Sequence, residues 1–317
     1  MNATIGAKSV SACARADDAV FVRLKGGLGN QMFQYAAGLA VAKRCGCPLK
    51  IDPSWFATVA NPSDTDRSYM LDAWRVDVPM ATVEELAIFP KRKWRQRNPL
   101  LDRALRPRAQ VGRVYRQPGH HYDPGIAACR PPVLLAGYFQ TEAFFADLGA
   151  ELRAAFQPRR PLSENSGRML RLIEAADWPV ALHLRRGDYV ASAHTNQVHG
   201  TCPPDYYRRA VRLLDALSGE RAHYFVFSDE PEAVDEVLGD LPRQTIVSGN
   251  DDRPWEDMTL MAACRDNIVA NSSFSWWGAW LNPGRSKTVI APRRWFRRDA
   301  MLRLNTVDLI PDEWITL

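Results

Sequence analysis

The segment Val180–Tyr189 ends an apolar run with His183-Leu184-Arg185-Arg186-Gly187-Asp188-Tyr189. Two adjacent guanidiniums released from such a run, beside a glycine that lets backbone approach a ligand, form a fixed cationic fork suited to phosphate oxygens. A surface ion pair between Arg186 and Asp188 accounts for the same residues on this segment alone. His183 lies within the apolar run, where a satisfied core histidine is the commoner outcome. A second polar group, Asn271-Ser272-Ser273-Phe274-Ser275, follows the apolar stretch Asn267–Ala270 and opens a helical spacing of Trp276, Trp277 and Trp280. Helix-start N–H groups, the hydroxyls of Ser272 and Ser273 and the helix dipole together suit an anion, although serine also caps helices with no ligand present. Two arginines facing that helix start would hold a pyrophosphate without a metal. A third strand end carries Ser228-Asp229-Glu230, where Asp229 can accept hydrogen bonds from a ribose or a base, and Phe274 can stack on a planar ring. The three tryptophans read as core.

A fourth group lies near the N-terminus, in Lys25-Gly26-Gly27-Leu28-Gly29-Asn30-Gln31. Gly27 and Gly29 match the first two glycines of the dinucleotide-binding fingerprint, but its third position is Met32 and no lysine follows at phosphate-loop spacing. A tight turn before a well-packed helix explains the glycines equally. Asn30 and Gln31 add more, since two adjacent amides at such a turn can hold sugar hydroxyls or a phosphate oxygen.

The elements that must position these groups follow from periodicity. Ala19–Leu24, Pro48–Asp52 and Val133–Phe139 read as strands, and Met32, Tyr35, Ala36, Leu39 and Ala40 as a helix behind the glycines. Strand and helix alternate regularly from Val180 onward, with strands at Tyr224–Phe227, Thr245–Val247, Asn267–Ala270 and Thr288–Ala291. Helices start near Ser163, Pro204, Pro231 and Pro254. Strands alternating with helices imply parallel βαβ units, so the second half reads as a doubly wound, mostly parallel sheet. In such sheets ligands bind beyond the carboxyl ends of the strands, where the polar groups fall. The 317 residues exceed the size at which one core stops growing. The expected division is a loose leader at 1–17, an α/β domain at 18–160 and a second at 161–317, with the junction near the proline-flanked Gln157–Pro161.

Charge is unevenly spread. Residues 91–116 hold ten basic side chains against the single acid Asp102, while the whole chain carries only +5. Leu100, Leu101, Ala104 and Leu105 form a short helical cluster within this segment. A solvated face explains it, and among functional readings a membrane surface is preferred, because no nucleic-acid-binding motif appears. Asp64-Thr65-Asp66 resembles a metal-holding Asp-x-Asp pair, but it follows Asn61-Pro62-Ser63 with no apolar strand to hold the carboxylates, so it reads as a solvated turn. The six cysteines have no zinc spacing, and no window approaches the ~20 apolar residues of a membrane span. The expected location is the cytoplasm, with peripheral contact at a membrane face through residues 91–116.

Three ordered blocks carry a family likeness: Gly26-Gly27-Leu28-Gly29-Asn30-Gln31-Met32-Phe33-Gln34-Tyr35-Ala36, His183-Leu184-Arg185-Arg186-Gly187-Asp188-Tyr189 and Asn271-Ser272-Ser273-Phe274-Ser275-Trp276-Trp277-Gly278. From about Val20 to the C-terminus the chain resembles the α-1,2-fucosyltransferase family. The resemblance implies a metal-independent inverting glycosyltransferase of the GT-B type. Its two facing Rossmann-like domains would divide the work, 18–160 on the acceptor side and 161–317 binding GDP-fucose. It implies that Arg185 supports the leaving pyrophosphate, that Arg186 and Asp188 complete the motif, and that His183 and Asp229 lie near the guanosine. The loop with Gly27, Gly29, Asn30 and Gln31 would face them across the cleft.

The implied reaction moves L-fucose from GDP-fucose to the 2-hydroxyl of a galactose-terminated oligosaccharide or lipid-linked glycan, with no metal or other cofactor and no nucleic-acid partner. Fixed cations and helix-start amides would stabilise the charge growing on the departing GDP. The general base that removes the acceptor proton stays open among Asp17, Asp18, Asp52, Glu142 and Asp188. The competing readings are a fucosyltransferase of α-1,3 or α-1,6 linkage, and a non-catalytic polyanion- or membrane-binding protein organised around residues 91–116.

Overall fold

The computed structural model describes residues 18–57, 67–90, 112–186, 200–239, 241, 243–297 and 304–317. The N-terminal part opens with β1 (Val20–Arg23), whose Val20, Phe21 and Val22 are fully buried, as the inner strand of a parallel sheet must be. It is followed by α1 (Leu28–Cys45), β2 (Leu49–Asp52), the short α2 (Val83–Leu86), β3 (Arg113–Arg116) and β4 (Val133–Ala136). The four strands lie in the order β2-β1-β4-β3, and every ladder is parallel.

Two helices, α3 (Gly149–Ala155) and α4 (Glu164–Ala175), lead to a six-stranded sheet. Its strands are β5 (Trp178–Leu184), β6 (Ala222–Ser228), β7 (Gln244–Val247), β8 (Asp266–Ile268), β9 (Val289–Ala291) and β10 (Ile315–Thr316). The order is β10-β9-β8-β5-β6-β7, again wholly parallel. Between them run α5 (Pro204–Ser218), α6 (Val234–Leu238), α7 (Pro254–Ala263) and α8 (Ser273–Leu281). The chain winds outward from β5 through β6 to β7, then returns to the other side of β5 and winds outward again through β9 to β10. The β5/β8 boundary is therefore a topological switch point, where a crevice opens beyond the strand ends. The smaller sheet has its own switch between β1 and β4. The architecture is the expected one: α/β, with two parallel Rossmann-like sheets, the second doubly wound.

From Ser275 to Leu281 the helix α8 is buried on all sides, as its run of Trp276, Trp277, Ala279, Trp280 and Leu281 requires. Trp276 and Trp277 are fully buried. Their rings lie 4.5 Å and 4.9 Å from the Phe33 ring of α1, and Phe145 stacks on Trp277 at 5.5 Å. The tryptophans are core, as expected, but the core they build belongs to both sheets at once. A Cβ on Gly29 would stand 2.5 Å from the Ser273 carbonyl carbon and oxygen, and the Trp277 indole N–H donates to the Gly29 carbonyl at 3.0 Å. The first turns of α1 and α8 thus touch backbone to backbone. Because each helix starts at the carboxyl end of its preceding strand, this contact turns the carboxyl edges of the two sheets toward each other. The connecting segment is held as well: Arg159 donates to the Trp74 and Val76 carbonyls at 3.0 Å and 2.7 Å.

Two strands differ from expectation. The end of the basic segment forms β3, an edge strand with Arg113 and Arg116 exposed, and charged side chains on an edge are a common guard against further pairing. The terminal strand β10 spans two residues, too short to give a period. Residues 91–111, with the helical cluster at Leu100–Leu105, the leader 1–17 and the Asp64-Thr65-Asp66 turn lie outside the described residues. Among the described residues no helix is long and apolar enough to cross a membrane.

Gly29→Ala places a methyl group inside the Ser273 peptide. The expected loss is about 1–3 kcal/mol, read as a lowered Tm in thermal unfolding. An unchanged Tm would show that the two helix starts can separate at no cost.

Candidate functional site

The carboxyl end of β5 carries His183, Arg185 and Arg186. His183 is buried at 5% exposure, with its ring 5.8 Å from that of Phe274 and its Nδ1 without a hydrogen-bond partner. Burial, and next the neighbouring Arg185 charge, push its pKa down to about 3, with Asp229 pulling the other way. The imidazole is therefore neutral near pH 7, not a second cation.

The two arginines do not act as a symmetrical fork. Arg185 Nη1 pairs with Asp229 Oδ2 at 2.9 Å, and the Arg186 backbone N–H donates to Asp229 Oδ1 at 3.0 Å. The Arg186 guanidinium turns away, toward Glu230 and Glu236, each at 3.4 Å. Both Asp229 oxygens meet the arginine turn, so this carboxylate fixes Arg185 and the Arg186 backbone. Asp188 lies outside the described residues.

Across the switch point, Ser272 caps α8, its hydroxyl accepting the Phe274 N–H at 3.3 Å. The ligand-free alternative for this serine is the one observed. The turn is fixed by Asn271, whose amide donates to the Gly200 and Trp295 carbonyls at 3.0 Å and 3.2 Å, and by Ser275, which accepts the Ala270 N–H at 3.2 Å. Ser273 and Phe274 are half-buried. Phe274 lies over His183, and Ser273 offers its peptide to Gly29. No acid occupies the first turn of α8, which keeps that end of the dipole attractive to an anion.

The glycine turn after β1 faces this from the other sheet. Gly26 adopts φ 78° and would bring a Cβ to 2.7 Å from the Asn30 amide nitrogen, so glycine is required there on both counts. Gly27 precedes α1 with an ordinary φ of −75°, and the Arg67 guanidinium approaches the place of its missing Cβ at 3.9 Å. Asn30 accepts from the Gln140 amide at 2.7 Å. Gln31 is corrected: it is fully buried, donates to the Gly26 and Ser68 carbonyls and accepts the Met70 N–H. Its amide is spent on holding backbone and has none left for a sugar.

The described base candidates fail on position. Asp18 precedes β1, at the amino end of the sheet. Asp52 is fully buried, with one oxygen 2.6 Å from Arg23 Nε and the other accepting the Ser54 N–H at 3.0 Å. Glu142 is raised by burial, but it accepts from Trp280, about 10 Å along α8 from Ser273 at 1.5 Å per residue. Asp17 and Asp188 lie outside the described residues.

Several polar groups escaped the sequence reading. Gly137-Tyr138-Phe139-Gln140 follows β4, so the strand-end rule that found the others would also have found Gln140. His120 lies beside it. Asp257, in the first turn of α7 beyond β7, is pushed up to about 6, first by burial and then by Asp251 and Glu256, while Asn250 donates to it at 2.6 Å.

The profile of glycosyl transferase family 11 matches residues 113–317. The O-antigen biosynthesis glycosyltransferase WbnK of Escherichia coli is 32% identical, over 93% of this chain and 99% of that protein. An α-1,2-colitosyltransferase of Escherichia coli is 31% identical, over 94% of this chain and 98% of that protein. The galactoside α-(1,2)-fucosyltransferase 1 of Leontocebus fuscicollis is 27% identical, over 82% of this chain and 64% of that protein.

Asp257→Asn keeps the Asn250 hydrogen bond and removes the charge. The folded state holds the Asp257 pKa above its usual 3.8, so wild-type protein loses stability relative to the variant as pH rises from about 4 to 6. Denaturant unfolding should find the variant equal below pH 4 and more stable by up to about 3 kcal/mol above pH 6. A difference independent of pH would contradict the buried carboxylate.

Proposed function

The chain belongs to glycosyl transferase family 11, and from that premise we propose that it transfers L-fucose from GDP-fucose to the 2-hydroxyl of a galactose-like residue, with inversion and without a metal. The observation that carries this reading is the junction of β5 and β8. Arg185 is fixed by Asp229 at 2.9 Å beside the acid-free start of α8, and the start of α1 closes on it from the other sheet. A diphosphate laid across that junction meets a fixed cation and helix-start amides, the groups needed where negative charge grows as the sugar leaves. His183, neutral and under Phe274, offers a hydrogen bond to a nucleoside without competing for the phosphate. The acceptor hydroxyl attacks from the smaller sheet, on the face opposite the departing phosphate, which inverts the anomeric centre.

The resemblance of the His183–Tyr189 block supports GDP-fucose as donor. The names of the relatives support the α-1,2 linkage and a surface glycan as acceptor. The colitosyltransferase relative favours one second reading, in which the donor carries colitose. A lipid-linked precursor at the cytoplasmic face of a membrane would bring the acceptor to the basic residues 91–116.

The test combines purified protein, GDP-fucose and β-galactoside acceptors with linkage analysis by NMR. The expected product is α-1,2, formed equally in EDTA, and Arg185→Ala should lower kcat by roughly 10²–10³. Loss on chelation restored by manganese would overturn metal independence, and a wild-type rate in Arg185→Ala would remove this residue from the mechanism. Preference for the colitose donor over GDP-fucose would favour the second reading. No transfer in any variant, with retained lipid binding, would favour a binding protein.

A further inference from the structure

We propose that Arg67 is a second donor-binding cation: its guanidinium meets the diphosphate of the sugar nucleotide from the smaller sheet, opposite Arg185, and binds the phosphate next to the departing sugar. The inference rests on the glycosyl-transfer reading above. Arg67 Cζ, Nε and Nη1 stand 3.9, 4.0 and 4.0 Å from the place of a Gly27 Cβ. Three atoms of one plane at nearly one distance mean that the guanidinium lies face-on over this glycine. The backbone does not explain a glycine there, since φ −75° and ψ 178° suit any residue. The missing side chain leaves the place that the guanidinium covers.

The chain that follows Arg67 is tied to the start of α1. Gln31, fully buried, donates to the Ser68 carbonyl at 2.8 Å and accepts the Met70 N–H at 3.0 Å, and Leu71, the next residue, is fully buried. The cation is therefore carried by α1. Gly27 stands two residues before Gly29, whose Cβ place is 2.5 Å from the Ser273 carbonyl carbon and 2.8 Å from the Phe274 nitrogen. Two residues span at most about 7 Å, so Arg67 lies close to the start of α8 as well. Arg185 is held at the end of β5 by Asp229 at 2.9 Å, and the two guanidiniums flank the seam from its two sheets.

Charge at the seam suits an anion. Neither α1 nor α8 has an acid in its first turn, and no side chain of the Gly27 cap accepts the first N–H groups of α1. A guanidinium laid on the positive end of a helix dipole is unfavourable by itself, and a second one across the seam adds to the cost. A diphosphate between them reverses the sign of both effects. Contact through its face spends none of the Arg67 N–H donors on Gly27, and those donors lie in a plane suited to two phosphate oxygens at once. Lys25, the cation of the β1–α1 turn, is placed differently: its Nζ lies 3.7 Å over the Tyr138 ring. When the bond from the anomeric carbon to the β-phosphate oxygen breaks, its electron pair stays on that oxygen. The acceptor oxygen bonds to the carbon in its place and releases its proton. Arg67 and Arg185 then share the charge added to the departing GDP.

Calorimetry measures GDP and GMP affinity for wild type, Arg67→Ala, Arg67→Lys and Arg185→Ala, with transfer kinetics beside it and thermal unfolding as the check on each fold. Wild type should bind GDP more tightly than GMP, which lacks the second phosphate. Arg67→Ala should lose roughly 10- to 100-fold in GDP affinity, keep its GMP affinity within about twofold and lower kcat by roughly 10². Arg67→Lys should recover part of the GDP affinity, because it restores the charge without the planar fork. If Arg67→Ala does not fold, Arg67→Lys carries the same comparison of GDP with GMP, with a smaller loss for GDP alone. Equal losses for GDP and GMP would show that Arg67 only braces the glycine turn. Unchanged affinity for both, or a loss confined to the acceptor KM, would place it away from the diphosphate. Each of these results overturns this proposal and leaves the transfer reading intact. A wild-type chain that neither binds GDP nor transfers overturns that reading and this proposal with it.

Discussion

The contact between the Gly29 and Ser273 backbones governs the rest of the molecule. Two parallel sheets could pack in many ways, and most would leave their ligand-binding edges pointing apart. Here the absence of one Cβ lets the starts of α1 and α8 touch, and the Trp277–Gly29 hydrogen bond at 3.0 Å fixes the register of that touch. Two helix starts, and the two crevices beside them, then share one seam. The aromatic core of Phe33, Phe145, Trp276 and Trp277 supplies the burial that holds the contact closed, since large rings pack with both area and preferred geometry. Stability and site geometry are consequently one problem in this chain.

Within the seam, charge is placed asymmetrically. The larger sheet brings the fixed cation, Arg185, and spends a carboxylate, Asp229, on orienting it. The second arginine is turned outward to Glu230 and Glu236. The smaller sheet contributes mostly amides and aromatic faces, in Asn30, Gln140, Tyr138 and His120, with Arg67 as the cation laid on its glycine turn. Such a division suits a reaction in which a departing anion is steadied chiefly from one half and a neutral hydroxyl is placed by the other.

Much of this was legible in the residues. Strand ends showed because apolar runs such as Val180–Leu184 and Ile268–Ala270 stop abruptly at polar groups, and the parallel sheet followed from their alternation with helices. Gln31 was misread because an amide in a sequence carries no sign of whether backbone will claim it. Only the fold brings the Ser68 carbonyl and the Met70 N–H to its two ends. The pairing of Asp229 with Arg185 was hidden for a similar reason: a carboxylate at a strand end looks the same whether or not a neighbouring arginine meets it. His120 sits in a glycine–histidine turn without period, and its neighbours Tyr138 and Phe296 come from distant parts of the chain. β3 was hidden by its arginines, which make an edge strand resemble a solvated basic run.

The central claim is that the diphosphate of the donor lies at the β5/β8 switch point, between Arg185 and the first turn of α8. A crystal structure of the GDP complex tests it most directly. The account predicts the β-phosphate within hydrogen-bonding distance of the Arg185 guanidinium and of the Ser273–Phe274 amides, with the nucleoside beside His183 and the open side of the phosphate toward Asn30. A diphosphate bound away from Arg185, or on the outer side of the loop with Arg186, would contradict it.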